Sequence, residues 1–331
     1  MSFEPQRWIG VLLHTCDQGE PLPPEARPVG RAALELRGEG IGVVFGDQVV
    51  DGRMTGLCAC PGAWEAVADV PVFALHDRYS SQTHPEAFQA VLDSAGAVPV
   101  GNPAELTQLC RDKLACQRHL EGHGYAMPEV EADPARFAAV LDRWGSGFLK
   151  PRYGALGRGV RRVVPGDDLP DEGEGAVLGV VEPLFLQRAV RPPAGWAGWS
   201  LRVLVQRMPD GDWTVATRVL RRSRKDPVVN VARGADVRPA EEVLAADSLR
   251  ALDRLCVEVA WAMADHPWGR WAVEMGVDAV VDHRGGFHVI EVNSRPRGRL
   301  QTLAEKDPTR WADAHVEVCA RPLRYLAQLS R

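Results

Sequence analysis

Two alternating runs, Val273–Val281 and Phe287–Val292, flank Asp-His-Arg-Gly-Gly near the C-terminus, and they constrain the chain more than any other stretch. Side chains of a strand alternate between faces with period two, and the glycine-rich link reads as a hairpin turn. With the turn centred on Arg284-Gly285, Asp282 faces Phe287, Val280 faces Val289, Asp278 faces Glu291 and Gly276 faces Asn293. Positions 276, 278, 291 and 293 then share one face. Two carboxylates directly opposed on a ladder repel each other. The pair is tolerated when a cation sits between them, and oxygens from Asp, Glu and Asn suit Mg²⁺, which also takes phosphate oxygens and water. The alternative is a solvent-facing ladder whose charges are simply hydrated. Glu274 falls on the same face further out, as a structural or substrate-side acid.

A second stretch, Phe148-Leu-Lys-Pro-Arg-Tyr-Gly-Ala-Leu-Gly-Arg-Gly-Val160, lies between two expected strands. Gly154, Gly157 and Gly159 let backbone N–H groups approach a phosphate closely, and Lys150 places a compact charge at its mouth. No Gly-Lys-Ser/Thr precedes a helix, so this is not a Walker loop. A strand rather than a helix follows, which excludes a Rossmann turn. A plain glycine-rich hairpin is the competing reading. The lysines sharpen the choice: among 39 Lys and Arg only Lys113, Lys150, Lys225 and Lys306 are lysine, so a chain built on arginine keeps a lysine at this cradle.

The remainder reads as alternating strands and helices, an α/β chain of more than one lobe. Trp8–Leu13, Ile41–Phe45, Val70–Leu75 and Ala97–Val100 are expected strands, with a helix over Pro85–Gly96. Asn102-Pro103 marks a break, with Asn102 as cap of a helix over Ala104–Gly122. Phe137–Trp144 is expected to be helical, and Val160–Val164, Ala176–Val181 and Leu184–Val190 to be strands. Leu201–Met208 and Trp213–Leu220 form a hairpin through Pro-Asp-Gly. Helices follow over Ala240–Ala264 and Ala312–Leu329. A net charge of −5 argues against general affinity for nucleic acid or anionic membrane. No apolar run reaches the ~20 residues of a membrane span, and no secretion signal is present. The seven cysteines are scattered, and Cys58-Ala-Cys60 is too close for an ordinary structural clip and has no His nearby. They read as reduced thiols of a cytoplasmic protein. His119 and His123, at i and i+4, read as surface or cap residues with metal binding as the alternative. No Ser/His/Asp or Cys/His set stands out.

In their order along the chain, these residues resemble the ATP-grasp superfamily: Asp112-Lys113, the Lys150 loop, Gln187-Arg-Ala-Val190, Arg202, an Arg-then-Asn segment, and Asp278 followed by Glu291-Val-Asn293. The likeness runs from about Asn102 to Gly298. It is closest to the YheC/YheD family of endospore coat-associated proteins, through His76-Asp-Arg-Tyr79, Ser200-Leu-Arg-Val-Leu-Val-Gln-Arg207, Val228-Val-Asn-Val-Ala-Arg-Gly234 and Glu291-Val-Asn-Ser-Arg-Pro296. RimK-type ligases are similar more distantly. The resemblance implies an ATP-grasp fold with an N-terminal α/β pre-ATP-grasp domain over residues 1–101, a small lobe with the glycine loop over 102–186 and a large lobe with the hairpin over 187–331.

It further implies ATP and Mg²⁺, two ions, as cofactors. Lys113 and Lys150 would hold the phosphates, while Gln187, Ala189 and Val190 would form the hinge strand that reads adenine. Asp278, Glu291 and Asn293 would hold the metal, with Glu291 bridging. Arg218 would stabilise the transferring phosphoryl group, Arg202 is counted with it among the catalytic residues, and Arg295 would face the acceptor. Asn230, Arg233 and Gly234 would close over the γ-phosphate. Ser200 stands where the family has an Asp that contacts the ribose, and Ala235 replaces a second glycine. The implied activity is ATP-dependent ligation of a carboxylate to an amine or thiol, on small-molecule or peptide substrates, through an acyl phosphate. A kinase on the same fold and a non-catalytic nucleotide-binding or structural protein are the alternatives. Trp196, Trp199, Arg191 and Arg221–Arg224 either line an anionic acceptor groove or form a solvated loop.

Overall fold

The computed structural model describes residues 5–13, 23–78, 93–153, 157–170, 174–177, 180–229, 234–296 and 300–329, with the backbone alone at 174–177, 180 and 181. Residues 85–92 of the expected helix over Pro85–Gly96 lie outside them, as do Gly154, Asn230 and Arg233, and residues 94–97 form a turn.

The N-terminal sheet contains β1 (Arg7–Leu12), β2 (Ile41–Gly46), β3 (Val49–Val50), β4 (Arg53–Cys60), β5 (Ala63–Asp77) and β6 (Val100–Gly101), in the order β3-β4-β2-β1-β5-β6. Strands β2, β1, β5 and β6 run parallel, so their carboxyl ends share one edge. The expected strand at Val70–Leu75 is the second half of a long β5 whose first half pairs back on β4. One face buries Ile9, Val11, Val43 and Phe45 against α1 (Pro28–Gly38) and against Leu323, Tyr325 and Leu326 of the C-terminal helix α7 (Pro308–Gln328). The chain's last helix thus completes its first core.

The expected single helix over Ala104–Gly122 is two, α2 (Ala104–Arg111) and α3 (Lys113–Gly122). Asp112 breaks it. Its backbone is extended, and its carboxylate accepts from the Ala115 N–H at 3.1 Å, the geometry of an N-cap. Asn102 caps nothing, because the N-cap of α2 is Pro103 without a side-chain bond. With φ of +57° and 0% exposure, Asn102 instead splints the C-terminal hairpin. It accepts from Val273 N–H at 2.8 Å and donates to the carbonyls of Glu274 and Ser294.

A middle sheet holds β8 (Gly147–Pro151), β9 (Arg161–Val163), β10 (Glu174–Val177) and β11 (Val180–Arg188), ordered β10-β11-β8-β9, with β7 (Val130–Glu131) pairing to β11. The strands expected at 176–181 and 184–190 are instead a short β10 and a longer β11 that runs straight through Pro183. Phe137, Val140 and Leu141 fall at i, i+3 and i+4 of α4 (Phe137–Trp144) and bury against Leu149, Val163, Leu184 and Leu186. Gly145, at φ of +74°, ends that helix.

The third sheet is antiparallel throughout: β14 (Asp236–Pro239), β13 (Trp213–Ser223), β12 (Gly198–Arg207), β15 (Glu274–Val281) and β16 (Phe287–Asn293), in that order. One face carries Leu201, Val203, Met275, Val277, Ala279 and Val292 and packs on α5 (Ala246–Asp265), with α2 and α3 alongside. The opposite face carries Leu204 and Val219 beneath α6 (Leu300–Lys306) and α7. Beyond that apolar cover, the same face turns polar. No helix among the described residues is long and apolar enough to cross a membrane.

Candidate active site

Register places the polar face. In β15 and β16, Asp278 pairs with Glu291 and Gly276 with Asn293, as the alternation predicts, but Val281 rather than Asp282 pairs with Phe287. The turn is one residue longer than expected, and a β-bulge reconciles it with the deeper pairing, Ile290 being the extra residue between Val289 and Glu291. The bulge explains why Val289 and Val292, three apart, both point into the core while Glu291 and Asn293 point away from it.

Opposite Asp278 on the other side lies Arg202 of β12, and Ser200 of β12 pairs with Arg221 of β13. Both arginines are spent on Asp278. Arg202 donates through Nε and Nη2, the latter at 2.6 Å, and Arg221 Nη2 donates to Asp278 Oδ1 at 2.8 Å. The Asp278–Glu291 opposition is therefore relieved by buried guanidinium groups. The opposed acids call for a cation, and the fold itself supplies two. Burial works to lower both arginines. Asp278 outweighs it at Arg202, which is held above its usual value, and not at Arg221, which is pushed down.

Arg218 is a correction. It pairs with Val203 on the core face of the sheet and donates through Nε and Nη2 to Asp253 of α5, so it is not brought to the Asp278 face. Arg221 is the arginine that β13 brings to that face. Strand parity could have found it, since 218 and 221 differ by an odd number and one must point away from Arg202's neighbours.

From the middle sheet, Lys150 at the end of β8 donates to Gln187 Oε1 of β11 at 2.5 Å, and Gln187 Nε2 donates onward to Gln117 Oε1 of α3 at 3.3 Å. Burial takes the Lys150 ammonium down to about 8 against the pull of Glu291. Lys113 is lowered by burial too, against the pull of Glu291 and Glu182. Glu291 of the third sheet thus acts on both lysines. The start of the glycine loop is tied down: Arg152 grips Asp112 with bonds of 2.8 and 2.6 Å, and the Lys113 N–H donates to the Arg152 carbonyl. Gly157 and Gly159, at φ of +69° and +68°, hold the left-handed turns that bring the chain back to β9. At the hinge, the Ala189 N–H is committed to the Ser146 carbonyl at 3.1 Å. Ser200 is buried, its Oγ without a hydrogen-bond partner, cross-strand from Arg221. Gly234 lies in an exposed turn at φ of +78°.

A second polar cluster forms where β5 ends. Asp77 accepts from Arg295 Nη2, and Glu274 accepts from Arg78 Nη1 and from Gln206 Nε2 at 2.9 Å. Glu274 is buried, which works against its charge, yet Arg78 and His76 hold it down at about 2. It is a latch between the N-terminal lobe and the third sheet. Arg295 lies beside Arg78 and Arg111, and burial lowers its guanidinium. The expected acceptor groove divides: Arg221 goes to Asp278, while Arg222 and Arg224 stack on Trp196, each 4.5 Å from the ring centre. His119 and His123 bond to backbone carbonyls, and His123 also to Asp265, as cap residues do.

The donor set fits Mg²⁺ with phosphate in part. Asn293 Nδ2 is buried without a hydrogen-bond partner, and Glu291 is the half-buried carboxylate facing both lysines. Among the described residues, five cationic side chains, Lys113, Lys150, Arg202, Arg221 and Arg111, interact with four carboxylates, Asp278, Glu291, Glu182 and Asp112. That surplus suits a polyphosphate. Asp278, saturated by arginine, is the poorest ligand of the expected three.

The fold and a stretch of the sequence have known counterparts. Residues 199–329 match the family model described as YheC/D like ATP-grasp. No curated protein sequence matches the chain. Among solved structures, D-alanyl-alanine synthetase A from Vibrio cholerae aligns at 16% identity and TM-score 0.59, covering 98% of this chain and 99% of that one. The ATP-grasp ligase PsnB, complexed with a variant of its minimal precursor, Mg and ADP, aligns at 15% identity and TM-score 0.58, covering 97% and 98%. A RimK domain ATP-grasp protein from Sphaerobacter thermophilus aligns at 18% and 0.53, covering 97% and 99%. The chain thus has the ATP-grasp fold and, across residues 199–329, is YheC/D-like.

Proposed function

We propose that this chain is an ATP-dependent ligase that joins a carboxylate to an amine or thiol and releases ADP and phosphate. The observation that supports it best is the convergence of Lys113, Lys150, Arg202, Arg221, Glu291 and Asn293, contributed by α3 and by the middle and third sheets. Phosphoryl transfer asks a protein for positioning and charge neutralisation more than for a nucleophile, and this set offers little else. In this reading the chain divides at about residues 101 and 186 into an N-terminal domain, a small lobe and a large lobe.

Lys150, aligned by Gln187, and Lys113, at the first turn of α3, hold the phosphates. Val190 follows the committed Ala189 as the hinge residue that reads adenine. Glu291 and Asn293 hold Mg²⁺, which supplies charge neutralisation at the phosphates when bound, and Asp278 serves chiefly to aim Arg202 and Arg221 at the transferring group. The substrate carboxylate oxygen attacks the γ-phosphorus, the bond to the β-phosphate oxygen breaks, and ADP leaves. The amine or thiol then adds to the acyl carbon, phosphate departs with the bond it held, and the nucleophile loses its proton. Arg295, at the end of β5 beside Arg78 and Arg111, faces the acceptor.

Product analysis with ATP, Mg²⁺ and pooled amino acids and small carboxylates tests the reading. ADP, phosphate and a new condensed mass support it. ADP with a phosphorylated hydroxyl compound, formed without any amine, identifies a kinase instead. One observation favours a binding-only protein, namely the saturation of Asp278 by arginine, and ATP bound but never turned over with any acceptor would decide for it.

A further inference from the structure

The N-terminal lobe carries a cluster that the polar face does not use. Cys58 and Cys60 sit at i and i+2 of β4, so their side chains share a face, and Cys58 pairs across the hairpin with Glu65 of β5. The two sulfurs are 3.7 Å apart, and the nearest ligand atoms of Cys58, Cys60 and Glu65 all lie within 4.8 Å of one another. The cysteines are 2% and 4% exposed, whereas Glu65 is exposed and lies close to the hairpin tip at Pro61-Gly62. Arg37, at the end of α1, donates to Cys58 Sγ at 3.7 Å.

We propose that Cys58, Cys60 and Glu65 form a binding site for a thiophilic divalent cation of the Zn²⁺ class, separate from the nucleotide face. Two thiolates at Zn–S distances of about 2.3 Å in a tetrahedral shell stand roughly 3.8 Å apart, and the sulfurs already stand at that separation. A strand holds them there, so binding needs no rearrangement of backbone. Two thiolates, one carboxylate, a divalent ion and the Arg37 guanidinium sum to zero charge, which a nearly closed site requires. Soft sulfur selects this class over Mg²⁺, so the cation of the nucleotide face does not compete. Water would complete the shell, and the exposed Glu65 marks the side by which the ion enters. A thiol gives up its proton when it ligates the ion, so loading releases protons. The sequence alone concealed the site because Glu65, five residues past Cys60, joins the two thiols only when β5 folds back on β4.

The test uses the full chain, stripped with chelator, without nucleotide or Mg²⁺. Cd²⁺ is titrated while the thiolate-to-cadmium charge-transfer band is followed, and Zn²⁺ is titrated against a chromophoric chelator. One equivalent should bind, raise the melting temperature, and bind more tightly as pH rises. The variant C58S/C60S should lose that equivalent, Glu65→Gln should weaken it about tenfold, and C110A/C116A, altering the other close thiol pair, should retain it. Absence of the band, or its persistence in C58S/C60S, overturns the proposal, as does its loss in C110A/C116A with C58S/C60S unaffected. Should C58S/C60S fail to fold, Glu65→Gln decides, because Glu65 is exposed and its exchange leaves the strands intact.

Discussion

Asp278→Asn separates two roles open to one carboxylate, and it does so without nucleotide. Asp278 accepts three hydrogen bonds from two guanidinium groups whose side chains are 16% and 7% exposed. Removing one partner of a buried ion pair costs about 3–5 kcal/mol, because the remaining charge stays desolvated without compensation. Asparagine keeps the shape and one acceptor oxygen, so the low end applies, about 3 kcal/mol, or roughly 4 °C in melting temperature for a chain of this length unfolding as one unit. Were Asp278 only a metal ligand, the metal-free protein would scarcely notice the change. The assay is urea and thermal unfolding of wild type, Asp278→Asn, Arg221→Met and the double variant, all in EDTA. The double variant should be more stable than the sum of the single losses, since an unpaired guanidinium is what Asp278→Asn leaves behind. A loss under about 1 kcal/mol for Asp278→Asn, or strict additivity, would refute the assignment of Asp278 to its arginines.

Glu291→Gln should abolish ATP turnover while leaving unfolding within about 1 kcal/mol of wild type, because Glu291 is half-buried and faces lysines rather than the core; normal turnover would remove it from the metal site. Lys150→Ala should weaken ATP binding by about tenfold or more, measured by calorimetry, since a charge-assisted hydrogen bond is worth about 1.5–3 kcal/mol; unchanged affinity would show that the loop holds no phosphate. Stability should fall in acid through Glu274. Its folded value is about 2 against an ordinary 4.5, so its contribution is complete above 4.5 and disappears as pH falls toward 2. The loss is about 3 kcal/mol at most, and Glu274→Gln, already lacking the contribution, should show a flatter acid limb in unfolding free energy against pH. An equally steep limb would place the acid sensitivity elsewhere.

Much of the fold was legible because its signals are local. Pro-Asp-Gly announced the β12–β13 hairpin, and the spacing of Phe137, Val140 and Leu141 announced α4. The Asp278–Glu291 pairing was legible through two offsets that cancel: the turn is one residue longer than expected, and Ile290 restores the count. What escaped depended on contacts distant in sequence. Asp112 breaks a helix that the apolar spacing makes continuous because Arg152, 40 residues on, rewards the break with two hydrogen bonds. Asn102 looked like a cap and is a splint, since its partners lie 171 to 192 residues away. Arg218 and Arg221 sit on opposite faces of an arginine-rich strand, as parity requires, and Asp253 of the facing helix claims Arg218.

The bulge at Ile290 sets what this site can survive in evolution. A substitution in the turn between Val281 and Phe287 alters only local geometry, and the turn can even lengthen, because the loop lies at the far end of the hairpin from the acids. Losing Ile290 itself would straighten the strand and still leave Asp278 opposite Glu291 and Gly276 opposite Asn293, because the extra residue of a bulge has no partner of its own. A residue added or lost between Glu291 and Asn293 is another matter, since it would turn Asn293 to the core face while Glu291 stayed. Families descended from this arrangement should therefore vary in the length of the turn and in the bulge, and hardly at all in the spacing of Glu291 from Asn293.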